Sequence, residues 1–407
     1  MIKVVILGGG FGGFYTVRSL CKYKSELEIT LIDRDNYFTF TPLLHEVATA
    51  GIRENNVVYK LKEHLNNGRV KTVKAEIKNV DLKKKTVKTS EGNYDYDYLV
   101  IALGAKTNYY DIPGLEDYAY PLKTIQDAHT IRKAVVEAFK KANKTKNLKE
   151  RKKLLTFVVV GAGATGIELV AELREFGDLL IERQFKNLNK KDFRVIILQK
   201  SAHMVHELPS GLVSKVENKL KKMSVELRYN SPVKKVTKEG VYVDGEFIPC
   251  NVKIAATGVE ANVVKTTPNI YHGKNGIPVK RTLQINKFRN VFALGDIAIH
   301  ENKNGEITPK LAQVATREAK IVANNIINSI YGNFLEEFEF RSQGFLLSVG
   351  QRFAVAEIFG IFLKGFIAWW LWRTVYLMKI VGLKNKLYLA YDWTIGLFRK
   401  RFVKRSV

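Results

Sequence analysis

Two glycine runs hold the most specific chemistry in the chain: Gly8-x-Gly10-x-x-Gly13 and Gly161-x-Gly163-x-x-Gly166. Each follows an apolar strand pattern, at 3–7 and 156–160, and each opens a helical pattern, at about 14–23 and 167–176. In such a turn the first glycine allows the sharp bend and the second lets backbone approach a pyrophosphate. The third lets helix pack on strand. The phosphates then lie against the positive end of the helix. Phe11 and Gly12 fall inside the first turn and Thr165 inside the second. The next strand of the first copy, 27–32, ends at Asp33, placed to accept hydrogen bonds from a ribose, with Arg34 beside it. In the second copy the strand 193–198 ends at Gln199 and Lys200. An acid at that place pairs with both ribose hydroxyls and repels a 2′-phosphate, whereas Gln199 does not repel one and Lys200 attracts it. Relaxed use of NADPH beside NADH is therefore expected. The alternative is that Gln199 simply hydrogen-bonds the ribose of NADH.

A strand–turn–helix–strand unit repeated about 150 residues apart must position these residues. Tyr96 to Gly104 and Val252 to Gly258 read as apolar strands returning to each sheet, which places Ala102, Gly104 and Gly258 at strand ends. Thr282 to Asp296 reads as a hairpin and strand closing on Gly295-Asp296, where the acid can hold the ribityl hydroxyls of a flavin. Two dinucleotide folds imply two dinucleotides, a nicotinamide that supplies hydride and a flavin that receives it. The expected fold class is α/β, with two Rossmann-like dinucleotide-binding domains and a C-terminal membrane-associating α-helical region. The expected boundaries are 1–123 and 282–330 for FAD, 124–281 for NAD(P)H, and 331–407 for membrane anchoring or dimerisation.

With those elements in place, the chain resembles the type II NADH dehydrogenases, a branch of the two-dinucleotide-binding flavoprotein reductases. The likeness is carried by Asn36 to Glu46 (NYFTFTPLLHE), which includes Leu43, by Val160 to Leu173 (VGAGATGIELVAEL), and by Ala312-Gln313-Val314-Ala315 and Gly365 to Arg373 (GFIAWWLWR). The resemblance implies FAD as cofactor, NADH or NADPH as reductant, a membrane quinone as acceptor without proton pumping, and a homodimer. It also implies that Glu168 lies near nicotinamide and flavin and influences hydride transfer or proton delivery. A first-turn acid favouring the helix dipole by about 0.3–1 kcal/mol is the plainer account of that residue. Gln313 is implied to hydrogen-bond a quinone carbonyl, with Pro309 in the first turn of its helix and Ala312 and Val314 flanking the flavin. Without that role it is an ordinary polar residue near a helix start. The chain departs from the family pattern at Gln199, where an acid is usual. It departs again at Arg317-Glu318-Ala319, in place of Gln-Glu/Gln-Gly, which reads as packing.

Composition narrows the classes. With 407 residues, 46% hydrophobic and 26% charged, the chain has two or three lobes and is not disordered over most of its length. Cys21, on the first helix, and Cys250, in a turn beside a strand, cannot build a disulfide scaffold, a zinc cluster or the cysteine pair of a disulfide or sulfide reductase. No metal site is expected, and a reduced, cytosolic setting fits. Met1-Ile2-Lys3 runs directly into Val4 to Leu7, so no secretory signal is expected. The net charge of +26 asks for an anionic partner. Lys140 to Lys153, with eight Lys/Arg and one acid, reads as a solvated linker. From 364 to 407 there are ten Lys/Arg and one acid, Asp392, interleaved with aromatics. The longest charge-free run at 361–383 is eight residues, too short to span a bilayer. Residues 361–407 are therefore expected to lie on an anionic membrane surface on its cytoplasmic side, peripherally, with burial in a dimer interface the competing account. No nucleic-acid motif is present. Two other functions compete: a soluble NAD(P)H-flavin reductase with a protein or dye acceptor, and a nicotinamide-sensing flavoprotein.

Overall fold

A computed structural model describes residues 1–398 apart from 24–25, 66–67, 206–207 and 343. The basic tail at 399–405 lies outside the described residues. Five helices position the site: α1 (Phe11–Leu20), α2 (Ala164–Arg183), α3 (Ala312–Tyr331), α4 (Phe366–Lys379) and α5 (Leu383–Phe398). The chain divides into two compact units. Unit 1 holds Met1–Phe40, Val58–Lys106 and Val259–Arg341; unit 2 holds Thr41–Val57, Thr107–Gly258 and Ser342–Val407.

Unit 1 is built on a six-stranded sheet in the order Gln284–Ile285, Phe288–Ala293, Tyr98–Ile101, Ile2–Leu7, Leu27–Asp33, Val70–Lys74. All neighbours are parallel except the first pair. Near-continuous runs such as Val4-Val5-Ile6-Leu7 suit strands buried on both faces. Helix α1 packs against α3.

Unit 2 repeats this plan in a five-stranded parallel sheet ordered Tyr120–Pro121, Val252–Ala255, Thr156–Val160, Arg194–Leu198, Val225–Arg228. Beneath it Phe139, Phe157 and Phe193 meet edge to face at 5.1–5.9 Å between centroids. Gly177 makes that cluster possible, since a Cβ there would stand 2.1 Å from the Phe193 ring. Unit 2 ends in an antiparallel meander, Gly344–Ser348, Ala354–Ile358 and Ile361–Gly365, followed by α4 and α5.

Several expectations move. The first helix begins at Phe11 and stops at Leu20, so half-buried Cys21 caps it rather than lying within it. Helix α2 runs from Ala164 to Arg183, which makes Glu168 its fifth residue, past the first turn. Helix α3 starts at Ala312, so Pro309 precedes the helix. The basic stretch 140–153 is mostly helical, at the end of Ile125–Lys144 and in Leu148–Leu154, because Thr145 closes one helix and the Asn147 side chain caps the next. The unit boundaries also differ from the expected cofactor boundaries. Residues 120–121 pair with Val252–Ala255 in unit 2, and 266–267 pair with Ile77–Asp81 in unit 1.

Candidate functional site

In unit 1 the glycine turn is sterically obligatory at its ends and open at its middle. A Cβ on Gly8 would meet the Ala102 carbonyl oxygen at 2.4 Å, and one on Gly13 would meet the Gly8 oxygen at 1.8 Å. Gly12 is also tight, at 3.1 Å from Ala102 and Leu294, whereas at Gly10 a Cβ finds nothing within 4 Å. Gly10 caps α1 with no side-chain bond, and no acid stands in the first turn. Uncapped N–H groups facing open space are what a pyrophosphate requires. The Gly9 N–H donates to Asp33 Oδ2 at 2.5 Å and the Asp35 N–H to Oδ1 at 2.7 Å, so backbone holds the carboxylate at the rim of the turn. Burial raises the Asp33 pKa, opposed by those two bonds. Phe11 lies over Phe38 and Phe40, at 5.0 and 5.5 Å between centroids.

Unit 2 reproduces this geometry. A Cβ on Gly161 would meet the Ala256 oxygen at 2.3 Å and one on Gly166 the Gly161 oxygen at 2.1 Å, while Gly163 is open within 4 Å. The Ala162 N–H donates to Gln199 Oε1 at 2.9 Å, the counterpart of the Gly9–Asp33 bond. Gln199 Nε2 donates to Ser201 Oγ and the His203 carbonyl, so both of its N–H groups are engaged. Lys200 and Thr165 are exposed. Both cradles fit a dinucleotide, because each closed turn leaves open space against an uncapped helix N-terminus where a pyrophosphate can lie.

Four residues along α2, Glu168 meets a different environment. It is 8% exposed, accepts the Ser348 N–H at 3.3 Å and stands 3.7 Å from His45 Nδ1. Burial, with Glu46 and Glu172 nearby, pushes its pKa up to about 8. Such a carboxyl holds a proton at neutral pH and can give it up to a reduced acceptor.

The chain matches the family model for pyridine nucleotide-disulphide oxidoreductases over residues 2–319 and the model for the NDH2 C-terminal domain over 343–401. A probable NADH dehydrogenase of Dictyostelium discoideum is 30% identical over 96% of this chain and 88% of its own. The chain belongs to the type II NADH dehydrogenases. A type II NADH:quinone oxidoreductase of Staphylococcus aureus is also 30% identical, over 88% of this chain and 90% of its own. The solved structure of NDH2 from Plasmodium falciparum with RYL-552 superposes with a TM-score of 0.90, at 22% identity, over 98% of this chain and 99% of that one.

In this type II NADH dehydrogenase the remaining expected residues take ordered places. The returning strands stop earlier than expected, at Ile101 and Ala255, so Ala102, Gly104 and Gly258 lie in the connections that follow; Gly104 and Gly258 hold positive φ there, at 65° and 100°, just before the short strands Ala105–Thr107 and Val259–Ala261. Gly295 is left-handed, and Asp296 follows it in a 3-10 turn. Gln313 is the second residue of uncapped α3, half-buried, between half-buried Ala312 and buried Val314. Leu43 is completely buried in unit 2. Arg34 is exposed and pairs with Asp35 at 3.6 Å. Burial pushes the Cys250 thiol up to about 12, which suits an inert cysteine.

Two buried glutamates stand beside the expected site residues. Glu318, read as packing, is 2% exposed and accepts the Gly295 N–H at 2.6 Å; burial pushes its pKa up to about 7. Arg317 does pack, over the Phe340 ring and onto the Arg341 carbonyl. The second is Glu172, one turn beyond Glu168, which accepts from Thr49 Oγ1 at 3.0 Å. Its i, i+4 spacing from Glu168 was the available signal.

Proposed function

We propose that this enzyme oxidises NADH and passes two electrons to a membrane quinone, with FAD in the unit 1 cradle and NADH in the unit 2 cradle. The observation that carries this reading is the paired cradle, closed at Gly8, Gly13, Gly161 and Gly166 and open at Gly10 and Gly163. The kinship with NADH:quinone oxidoreductases supports the acceptor. When bound, the flavin supplies two-electron chemistry that couples a hydride donor to a quinone.

The chain's own residues do the rest. The free N–H groups opening α1 and α2 hold pyrophosphates, and Asp33 accepts from ribose hydroxyls. Asp296 holds the ribityl chain. The uncapped N-terminus of α3 would favour negative charge on a flavin held beside it, and Gln313 would donate its amide N–H to a quinone carbonyl. Glu168 holds a proton at its carboxyl. At Gln199 the side chain is held by the Ala162 N–H, Ser201 and the His203 carbonyl and places no negative charge against a 2′-phosphate, so NADPH is accepted beside NADH.

The acceptor's home sets the surface. Among the described residues no helix is long and apolar enough to cross a membrane. Helix α4 nevertheless turns Phe366, Ile367 and Trp370 to solvent, Trp370 at 60% exposure, while burying Ala368, Trp369 and Trp372 on its other side. The meander adds Phe359 from its last turn and Phe362 from its last strand, and α5 adds Leu387 and Tyr391. With exposed Lys364 and Lys384 among them, this face suits lipid with anionic headgroups, on the cytoplasmic side of a membrane and in a homodimer. Steady-state NADH oxidation with ubiquinone and menaquinone analogues tests the reading, and the Gln313→Ala enzyme should lose quinone turnover. Wild-type protein carrying FAD that reduces neither analogue would overturn it.

A further inference from the structure

In unit 1 the glycine turn, a strand end and α3 all close on the 3-10 turn Gly295–Ile297. Leu294, fully buried, donates its N–H to the Ile101 carbonyl at 3.2 Å. It lies so near the glycine turn that a Cβ on Gly12 would stand 3.1 Å from it. Gly295 follows at φ 73°, and a Cβ there would stand 3.3 Å from Ala315 of α3. Ala315 and Glu318, three apart, share the face of α3 that meets this turn. The turn has no side-chain cap of its own. Its first N–H is held from outside, by Glu318 Oε2 at 2.6 Å. A left-handed glycine is a loose point in a chain, and the residue it presents is Asp296, placed to hold the ribityl hydroxyls.

The bond alone does not call for a carboxyl. A glutamine would accept the same N–H and cost less to bury. Glu318 is 2% exposed, and burial raises its pKa to about 7, with the Gly295 N–H opposing and Asp296 adding. The main elements packed on α3 are α1, strand Phe288–Ala293 and the turn. Their titratable groups are Tyr15, Arg18, Arg289 and Asp296, and α3 itself adds Arg317 and Lys320. Of these, Asp296 acts on the Glu318 carboxyl.

We infer that Glu318 is a positioning residue for the flavin: its bond to Gly295 sets the turn that presents Asp296, and its ionisation tunes the reduction potential of the flavin held there. The inference rests on FAD occupying the unit 1 cradle. Hydride brings two electrons and one proton, hence one added negative charge, and a buried carboxylate nearby opposes that charge across a low dielectric. Reduction therefore draws one solvent proton onto Glu318, forming its O–H bond, and reoxidation releases it. No other bond changes at the residue.

Reloading the apoprotein with FAD, and redox titration of the bound flavin with dithionite, test this without turnover. Glu318→Ala leaves the Gly295 N–H without its acceptor, so the Kd for FAD should rise roughly tenfold or more. Glu318→Gln keeps an acceptor, so its Kd should stay within about threefold of the wild type. Its potential should fall less steeply with pH above about 7 than the wild-type potential does, because no proton is taken up there. In that range reduction of the wild type should also raise a carboxyl infrared band that Glu318→Gln lacks. If Glu318→Gln does not fold, the wild type decides alone, by whether its potential steepens above that pH. FAD held by Glu318→Ala as tightly as by the wild type, or a potential with no such steepening, or one equally steep in Glu318→Gln, would overturn the assignment and leave the function standing. A wild-type protein that binds no FAD would instead overturn the functional reading beneath it.

Discussion

Glu168 is where residue chemistry departs most from its reference behaviour. Its pKa is pushed up to about 8 from 4.5, first by burial and then by the charges of Glu46 and Glu172. The folded protein therefore binds a proton that the unfolded chain has released between those two values. Stability must fall as pH rises from about 4.5 to about 8, by on the order of 1 kcal/mol per pH unit from this group alone. Glu168→Gln should flatten that slope, read as Tm against pH; an unchanged slope would show the carboxyl is not held neutral. At Gln199, the Gln199→Glu enzyme should lose NADPH oxidation about tenfold or more in kcat/KM while NADH oxidation stays within a few-fold, because a carboxylate repels the 2′-phosphate. Equal loss with both nucleotides would refute the assignment. The glycines, Asp33 and Gln199 were legible from sequence because spacing alone fixes their geometry. Glu172 and Glu318 were not, because their partners Thr49 and Gly295 lie 123 and 23 residues away, and only the fold brings them together.

At the scale of elements, each cradle separates folding from binding. The ends of the turn admit no Cβ: at Gly13 the nearest oxygen would be 1.8 Å away, so Gly13→Ala should unfold unit 1 or fail to accumulate. The centre admits one freely, since Gly10 has nothing within 4 Å. Gly10→Val should fold with a Tm near that of the FAD-free wild type yet purify without yellow colour. A yellow Gly10→Val protein would place FAD elsewhere. Strand and turn positions were readable because apolar runs ending in glycine specify them. Helix limits shifted by several residues, at α1 and α2 alike, because the helices start directly at the turn. The placement of 41–57 in unit 2 had no local signal, since it depends on Arg132 donating to the Val47 carbonyl, Arg53 gripping Asp392 and Trp393 holding Glu46.

For the molecule as a whole, the C-terminal helices do two tasks at once. Their inner faces seal unit 2 with Trp369, Trp372, Leu389 and Trp393, all nearly inaccessible. Deleting 361–407 would strip that interior, so the informative variants lie on the outer face. At 1.5 Å per residue α4 and α5 span about 21 and 24 Å, short of the roughly 30 Å hydrocarbon core. Phe366→Ser, Ile367→Ser and Trp370→Ser combined should release the protein from anionic vesicles while turnover with water-soluble quinones continues. Binding should also weaken with salt, as basic groups near a charged surface require. Vesicle binding undiminished in the triple variant would assign this face to another partner. The net charge of +26 asks for an anionic partner without placing it, whereas the fold shows which aromatics face outward and which build the core.

The central claim is that one chain carries two dinucleotides and moves two electrons from NADH through FAD to quinone. Anaerobic mixing of the purified yellow protein with NADH, followed by a ubiquinone analogue, tests it most directly by absorbance. The account predicts that the flavin band bleaches with NADH and returns with quinone, at a stoichiometry of one NADH per quinone reduced. A protein that stays colourless after being offered FAD, or a flavin that NADH does not bleach, would contradict it.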